Sequence, residues 1–337
     1  MRNIYDLTIK ELEDYFISIN EKKFRAVQVY ESLYKRRVTS FDDMTNISKE
    51  VREKLKQDFS FYKIKMLVKQ QGKNVNKYLF ELEDGNKIES VLMFHDYGTS
   101  ICVSSQVGCN MTCAFCESGR LKKVRNLLAY EIVQQILQIE EDINKRITHV
   151  VLMGIGEPFD NYDNVLRFVK IINCGKGIDI GSRHITISTC GVIPGIKKFM
   201  NEEGQVNLAI SLHAPNNELR SRIMPINKAY PLNELMETIK EYINKTNRRV
   251  TFEYIMLDNI NDSEENAKEL AALLKGINCY VNLIPYNETE NIEFKRTKEW
   301  KIMKFYDILK KNKINVTIRK EFGGSVDAAC GQLRANN

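Results

Sequence analysis

The sequence predicts an α/β protein in which a small helical domain and an antiparallel β segment precede a large body of repeated strand and helix units. Three observations predict this fold. Residues 1–60 show only helical periodicity, and residues 61–98 show strand alternation around a turn. Beyond residue 99, β-rich runs alternate with amphipathic helical stretches. We therefore expect three regions, with the boundaries 1–60, 61–98 and 99–337.

The N-terminal region 1–60 is predicted to contain three short helices. Apolar residues recur at helical spacing, as in Leu12 and Phe16 and again in Tyr30, Leu33 and Tyr34.

Residues 61–98 are predicted to form an antiparallel β extension. Apolar residues alternate before and after the turn Glu83-Asp-Gly-Asn, which is a hairpin signal. From residue 61 to residue 80 the segment carries lysines and no acid, which indicates either a solvated face or a phosphate-contacting surface. The lysines are Lys63, Lys65, Lys69, Lys73 and Lys77.

In the third region, repeated βα units favour parallel strands with right-handed crossovers, so this region is either a doubly wound sheet or a full or partial barrel. In both architectures ligands bind at the carboxyl ends of the strands. Strands are expected near 101–105, 148–153, 184–188, 206–211, 250–256, 280–285 and 316–319, and helices near 129–142, 232–244, 263–274 and 298–311.

Composition narrows the class of protein. Of 337 residues, 43% are hydrophobic and 28% are charged, which excludes a disordered chain. No apolar run approaches the ~18 residues of a membrane span, and acids in the first residues are atypical of a targeting peptide. Eight cysteines are too few for a disulfide scaffold, and the net charge of +6 is mild. We expect a cytoplasmic protein without a membrane partner.

Three of the cysteines, Cys109, Cys113 and Cys116, follow the first strand of the third region with the spacing CxxxCxxC. A structural zinc site normally has four ligands, and no second cysteine or histidine pair follows nearby. An iron-sulfur cluster held by three cysteines leaves one iron without a protein ligand. The spacing therefore favours a cluster that binds a substrate or cofactor over a zinc site.

Polar residues follow four further strands, where they either cap loops or bind a ligand. Together with the cysteine loop they favour a binding site for ribose, adenine and a carboxylate. These candidate cofactor-binding residues are Gly156, Glu157, Ser188, Ser211, Leu212, His213 and Asn287.

The sequence resembles the RlmN and Cfr family of radical S-adenosylmethionine RNA methyltransferases over nearly its whole length. The motifs that carry the resemblance are Cys102-Val-Ser-Ser-Gln-Val-Gly-Cys109, the CxxxCxxC, Met153-Gly-Ile-Gly-Glu-Pro158, Ser211-Leu-His-Ala-Pro-Asn216, Ile223-Met-Pro-Ile-Asn227, Val281-Asn-Leu-Ile-Pro-Tyr-Asn287 and Asp327-Ala-Ala-Cys-Gly-Gln-Leu333.

This resemblance implies a partial (β/α)6 barrel of the TIM type. It also implies a [4Fe–4S] cluster on Cys109, Cys113 and Cys116, with S-adenosylmethionine bound to the open iron. The substrates it implies are 23S rRNA and, in the RlmN branch, the tRNA adenosine beside the anticodon. It further implies that the N-terminal domain docks RNA. It also implies that an electron donor such as flavodoxin or ferredoxin reduces the cluster.

The resemblance also implies roles for three residues outside the cluster. Two S-adenosylmethionine molecules are used per turnover. One methylates Cys330, the methyl carrier, and the carrier then forms a covalent adduct with the adenine. Cys102 resolves the adduct through a disulfide with Cys330, and Glu89 is the proton acceptor. Without the resemblance the two cysteines would be assigned to the core and Glu89 to a solvated strand face.

Pro158, together with Val107 before Gly108, favours the RlmN branch, which methylates carbon 2 of adenine, over the Cfr branch, which methylates carbon 8 and confers antibiotic resistance. A hypothesis from another class is an RNA-binding protein that uses its cluster as an iron or redox sensor. Glu117-Ser118 and residues 323–327 depart from the family's common pattern, which leaves the substrate range open. Cys174, Cys190 and Cys279 are assigned to packing.

Overall fold

The computed structural model describes residues 1–319. The N-terminal region begins with strand β1 (Arg2–Asn3), continues through helices α1 (Ile9–Ser18), α2 (Phe24–Tyr34) and α3 (Lys49–Asp58), and ends in β2 (Phe59–Ser60), which pairs with β1 in parallel. Helix α1 starts at a capping box, in which the side chains of Thr8 and Glu11 each accept from the other residue's backbone N–H. The three predicted helices are present.

Four antiparallel strands follow: β3 (Lys65–Gln71), β4 (Val75–Glu81), β5 (Lys87–His95) and β6 (Gly98–Cys102). The predicted hairpin joins β4 to β5, with Gly85 in the left-handed region at φ +80°. The strand expected at 101–105 ends instead at Cys102. The backbone N–H of Ser104 donates to the Gln135 side chain, and that of Ser105 donates to the carbonyl of Ile155.

The rest of the described chain alternates strands and helices. After the short pair β7 (Gln106–Val107) and β8 (Arg125–Asn126), the order is α4 (Ala129–Ile143), β9 (His149–Leu152), α5 (Tyr162–Ile172), β10 (Ile185–Thr189), α6 (Ile193–Phe199), β11 (Asn207–Ser211), α7 (Asn217–Ile223), α8 (Leu232–Thr246), β12 (Val250–Met256), α9 (Glu264–Leu273), β13 (Cys279–Pro285), α10 (Glu299–Lys311) and β14 (Val316–Ile318).

Ten of these strands form one sheet in the order β14-β13-β12-β11-β10-β9-β6-β5-β4-β3. The pairs from β6 through β14 are all parallel, and six strand-helix units precede the last strand. Within residues 1–319 the two edge strands, β3 and β14, do not pair with each other. The expectation of a partial (β/α)6 barrel is confirmed, and the carboxyl ends of its parallel strands meet at one mouth.

The two faces of the sheet bury different side chains. The convex face packs against the helices, for example through the hydrogen bond from Ser90 Oγ to Gln135. The concave face carries a separate apolar cluster made of Val75, Val91, Met93, Cys102 and Ile155. Because strand residues alternate between faces, Glu89 shares the concave face with Val91.

The N-terminal helices are docked on the barrel helices through charged contacts. Arg167 of α5 donates to Glu11 of α1 at 2.6 Å, and Arg37 pairs with Glu140 of α4. Burial alone would raise the pKa of Glu11, but hydrogen bonds from Arg167, Thr8 and Arg2 outweigh it and lower the pKa to about 2.

None of the helices within residues 1–319 is long and apolar enough to cross a membrane.

The Glu11 contact predicts an acid-dependent loss of stability. Since the pKa falls from 4.5 to about 2 on folding, the ionised carboxylate stabilises the fold fully above about pH 4.5, and this contribution is lost as pH falls toward 2. The difference in free energy of unfolding between wild type and Glu11→Gln, measured by urea titration, should therefore shrink over that range. Replacing the exposed Glu241 by Gln is the matched control. A Glu11→Gln difference that stays constant between pH 7 and pH 3 would contradict this prediction.

Candidate active site

The cysteine loop lies between β7 and a short 3-10 helix (Glu117–Arg120) at the mouth of the barrel. The backbone N–H of Cys109 donates to Leu121 O at 2.9 Å, and that of Cys116 donates to Cys113 O at 3.1 Å. A third bond, from Ala114 N to Ile223 O at 2.9 Å, joins the loop to the end of α7. Backbone hydrogen bonds therefore fix the loop on the barrel.

All three cysteines line one cavity at the mouth. The cavity holds about 840 Å³ of space between atoms, open solvent at its entrance included. That volume lies within the range of ~300 to 1,000 Å³ typical of small-molecule sites.

Burial raises the pKa of the Cys109 thiol to about 12 and that of Cys113 well above its ordinary value. These thiols therefore ionise at neutral pH only when a metal binds them.

The donor set fits an iron-sulfur cluster. Within residues 1–319 no three His, Cys, Asp or Glu side chains are grouped closely enough to hold one metal ion. In a cluster the cysteines bind different irons, so they need to share a wall of the cavity and not a single centre. Cys109, Cys113 and Cys116 share such a wall.

The strand ends bring five of the predicted cofactor-binding residues into the same cavity. They are Gly156, Glu157, Ser188, Ser211 and His213. Leu212 points away, into the hydrophobic core, and is fully buried. Asn287 follows β13 but does not line the cavity. The positions of Leu212 and Asn287 in the structure therefore do not indicate that either side chain binds a ligand.

Gly156 and Glu157 form the turn after β9. Gly156 has φ +113°, and a Cβ there would approach the Gln106 side chain to 2.7 Å. The Glu157 carboxylate accepts from the backbone N–H groups of Cys190 at 2.8 Å and Phe159 at 3.0 Å. Burial raises the pKa of Glu157, although these bonds oppose the shift. The side chains of Cys190 and Thr189 also hydrogen-bond to this carboxylate, which lines the cavity where the sequence predicts an ammonium group to bind.

His213 adopts a left-handed backbone with φ +58° at the end of β11. Its Nδ1 accepts from Ile255 N at 3.0 Å, and its ring meets the Phe115 ring edge-on at 4.9 Å between centroids. Burial lowers the pKa of His213 to about 3, so the ring is neutral. Because Nδ1 accepts, the neutral ring carries its proton on Nε2.

Sequence reasoning missed several cavity residues, above all Glu253 of β12 and Arg319 after β14. Glu253 is buried, and its carboxylate accepts from Asn282 Nδ2 at 2.8 Å. Its burial raises its pKa, and the charge of Arg319 opposes the shift. The available signal was the alternation of Thr251 and Glu253 with apolar residues, which marks one face of β12 as polar.

Glu89 and Cys102 lie on the concave face of the sheet, and neither lines the cavity. Glu89 Oε1 pairs with Lys77 Nζ at 2.8 Å, and both side chains are buried. Cys102 is opposite Val91 in the sheet and packs in the apolar cluster that also contacts Met153, a cavity residue. Cys330 lies outside the described residues.

Comparisons with known proteins agree with this fold. Residues 2–60 match the family model of the ribosomal RNA large subunit methyltransferase N-terminal domain, and residues 103–271 match that of the radical SAM superfamily. A crystal structure of a radical SAM methyltransferase from Sphaerobacter thermophilus has a TM-score of 0.94 and 40% identity, with 100% of both chains covered. The protein is thus a radical S-adenosylmethionine enzyme, a class that uses this cofactor with an iron-sulfur cluster.

Two relatives define the family more narrowly. The probable dual-specificity RNA methyltransferase RlmN of Spiroplasma citri is 53% identical, over 100% of this chain and 98% of its own length. The protein of the same name from Enterococcus faecalis is 54% identical over 99% and 96%. The chain belongs to the RlmN family of RNA methyltransferases, which confirms the resemblance and does not favour the Cfr branch.

The Gly-rich turn generates a prediction. A Cβ at Gly154 would lie 2.7 Å from the backbone of Val103, in the segment that leads to the cysteine loop. Gly154→Ala should therefore displace that backbone, reduce iron loading and destabilise the protein by about 1 to 3 kcal/mol. Gly181→Ala, where nothing lies within 4 Å of the added atom, is the control. Thermal unfolding and iron content measure both effects, and equal values for the two variants would overturn the prediction.

Proposed function

We propose that the protein methylates carbon 2 of an adenosine in 23S rRNA and of the adenosine beside the anticodon in tRNAs. Full-length similarity to proteins named dual-specificity RNA methyltransferases is the observation that carries this proposal. A barrel mouth with three cysteines and a carboxylate in one cavity supports it.

In this proposal Cys109, Cys113 and Cys116 hold a [4Fe–4S] cluster. Gly156, Glu157, Ser188, Ser211 and His213, which line the cavity, surround S-adenosylmethionine, with Glu157 placed for its ammonium group. Leu212 and Asn287, which lie outside the cavity lining, are proposed to contribute to the same binding site from the ends of β11 and β13. When bound, the cluster and two S-adenosylmethionine molecules per turnover supply a methyl group and a radical that abstracts hydrogen. An electron donor such as flavodoxin or ferredoxin reduces the cluster, and the reaction takes place in the cytoplasm.

Cys330 is proposed to carry the methyl group to the adenine, because an adenine C–H is not a nucleophile and direct transfer fails. Strand β14 ends at the mouth, where Arg319 lines the cavity. Cys330 follows Arg319 by 330 − 319 = 11 residues. A chain of that length spans at most about 36 to 40 Å, enough to cross the mouth.

Glu89 and Cys102 are proposed to complete turnover from the concave face. Glu89 accepts a proton from the adenine carbon of the adduct. The thiolate of Cys102 then attacks the sulfur of Cys330, and the bond from that sulfur to the methylene carbon breaks. The electron pair of that bond passes to the methylene carbon and the adenine ring, the carbon takes up a proton to become a methyl group, and a disulfide remains between Cys102 and Cys330 as methylated RNA leaves. Their position on the same face of the sheet, on neighbouring strands, supports this assignment.

Residues 1–60 are proposed to dock RNA, with 61–98 and 99–337 as the remaining regions. Fewer of the lysines between residues 61 and 80 are available to contact RNA than the sequence indicates. Lys69 pairs with Asp142 at 2.6 Å, and Lys77 pairs with Glu89. Tyr78 and Phe80 are fully buried. Lys63 and Lys73 are the members of the run that we propose contact phosphate.

Two experimental outcomes would contradict this proposal and favour a different function. Methyladenosine found only at carbon 8, by mass spectrometry of RNA from cells with and without the gene, would indicate the Cfr activity. Absence of 5′-deoxyadenosine from anaerobically reconstituted protein with reductant, S-adenosylmethionine and RNA would favour a sensor.

Replacing Cys113 by Ala tests the cluster assignment. Two thiolates are too few to hold the cluster with an open iron, so iron content and Cys330 methylation should both be lost. Cys279→Ala, which removes a buried cysteine outside the cavity, should retain both. Iron analysis and the intact mass of the protein are the measurements. Full Cys330 methylation in iron-free Cys113→Ala would disprove the assignment.

Replacing Cys102 by Ala tests the carrier mechanism. The variant should load the cluster, methylate Cys330 and form the adduct, since none of these steps uses a second thiol. Without disulfide release, a covalent protein–RNA species should accumulate, visible as a slow band that ribonuclease trims. Cys330→Ala should form no such band. Normal turnover by Cys102→Ala would show that Cys102 takes no part in the reaction and only packs in the core.

A further inference from the structure

Arg220 of α7 is the largest fully buried side chain of the described residues, with none of its surface exposed. Its guanidinium donates four hydrogen bonds, all to neutral oxygens. The acceptors are Leu212 O at 3.2 Å, Asn227 Oδ1 at 2.9 Å, Cys190 O at 2.6 Å and Ser211 O at 3.3 Å.

No carboxylate within residues 1–319 forms an ion pair with Arg220. The charged contacts of the described chain belong to other residues, and the four acceptors of Arg220 carry only partial charge. Burying an uncompensated cation costs several kcal/mol, and buried charges are therefore normally paired. The position of Arg220 indicates an anionic partner that the polypeptide itself does not supply.

The cysteine loop lies next to this guanidinium. Arg220 holds the carbonyl of Cys190, a residue that lines the same cavity as Cys113. Ala114, the neighbour of Cys113, bonds to Ile223 at the end of the helix that carries Arg220. The guanidinium is thus bonded to the cavity wall at Cys190, and its helix is bonded to the cysteine loop at Ala114.

We propose that Arg220 is the buried counter-charge of the iron-sulfur cluster and raises its reduction potential. A cluster held by three thiolates is anionic, and reduction adds a further negative charge. A fixed cation that is buried nearby stabilises the reduced form more than the oxidised form. Arg220 is thus a positioning residue that acts through the cluster, and this inference rests on the cluster in the proposed function.

The chemistry of the side chain explains why arginine stands here. Guanidinium remains charged at any physiological pH, and its planar fork can bond several carbonyl oxygens at once. The same bonds hold together the loop after β10 and the end of β11, which provide Cys190 and Ser211 to the cavity. Arg220 therefore supplies a positive charge and also holds two parts of the cavity wall in place. The test has to distinguish the effect of the charge from the effect of these hydrogen bonds.

The test compares Arg220→Gln, which keeps a hydrogen-bond donor and loses the charge, with Arg220→Lys, which keeps the charge. Each full-length protein is reconstituted anaerobically with iron and sulfide, and its iron is counted. The cluster is then titrated potentiometrically by electron paramagnetic resonance, without S-adenosylmethionine or RNA. Arg183→Gln removes an exposed arginine outside the cavity and is the control.

The expected result is a lower midpoint potential in Arg220→Gln, with the reduced-to-oxidised ratio at a fixed potential falling at least tenfold, or 59 mV for one electron. Arg220→Lys should recover most of this loss. A potential unchanged in Arg220→Gln at full iron content overturns the inference. Loss of the cluster in Arg220→Gln but not in Arg220→Lys supports the counter-charge, whereas loss in both assigns Arg220 to structure alone and overturns it.

Thermal unfolding of the cluster-free proteins gives an independent readout. If Arg220 is uncompensated without the cluster, cluster binding should raise the melting temperature of wild type more than that of Arg220→Gln. An equal rise in both proteins counts against the inference. Wild type that binds no cluster would instead refute the proposed function, so the two failures are distinguishable.

Discussion

The parallel pairing of the strands from β6 to β14 is the constraint on which the site depends. Residues as distant in sequence as Cys109 and Arg319 line one cavity because every parallel strand of the sheet ends at the same mouth. The backbone hydrogen bonds between the strands bring their ends to the same place, so the functional side chains need no direct contact with one another. Each loop can then present a different chemical group to a ligand without altering the frame.

The charged groups at the mouth are held mainly by backbone atoms. Backbone amides position the Glu157 carboxylate, a backbone N–H fixes the tautomer of His213, and carbonyls surround Arg220. Backbone dipoles held by secondary structure reorganise little when a ligand arrives, which is the condition for strong electrostatic stabilisation in a dry cavity.

Sequence reasoning succeeded where the signal was local. The helical periods of α4, α8, α9 and α10 gave their limits within about two residues, and the cysteine spacing identified the loop that lines the cavity. It failed where the partner lies far along the chain. The lysine run lacks acids in sequence, yet Lys69 meets Asp142 and Lys77 meets Glu89 through the fold. Glu253 and Arg220 escaped notice for a related reason, because a charged residue inside an amphipathic pattern is normally assigned to solvent.

The β extension and the barrel share one continuous sheet through the pairing of β5 with β6. The hydroxyl of Ser104 adds a second tie, since it donates to the carbonyl of Glu89 at 2.6 Å and accepts from Ile155 of the Gly-rich turn at 3.0 Å. Ser104 therefore links the strand that carries Glu89 to the turn that carries Glu157, so the two are held in a fixed order around the concave face. Both are held inside a buried sheet, and a stacked adenine must leave its helix or loop at a cost of a few kcal/mol before it can reach them.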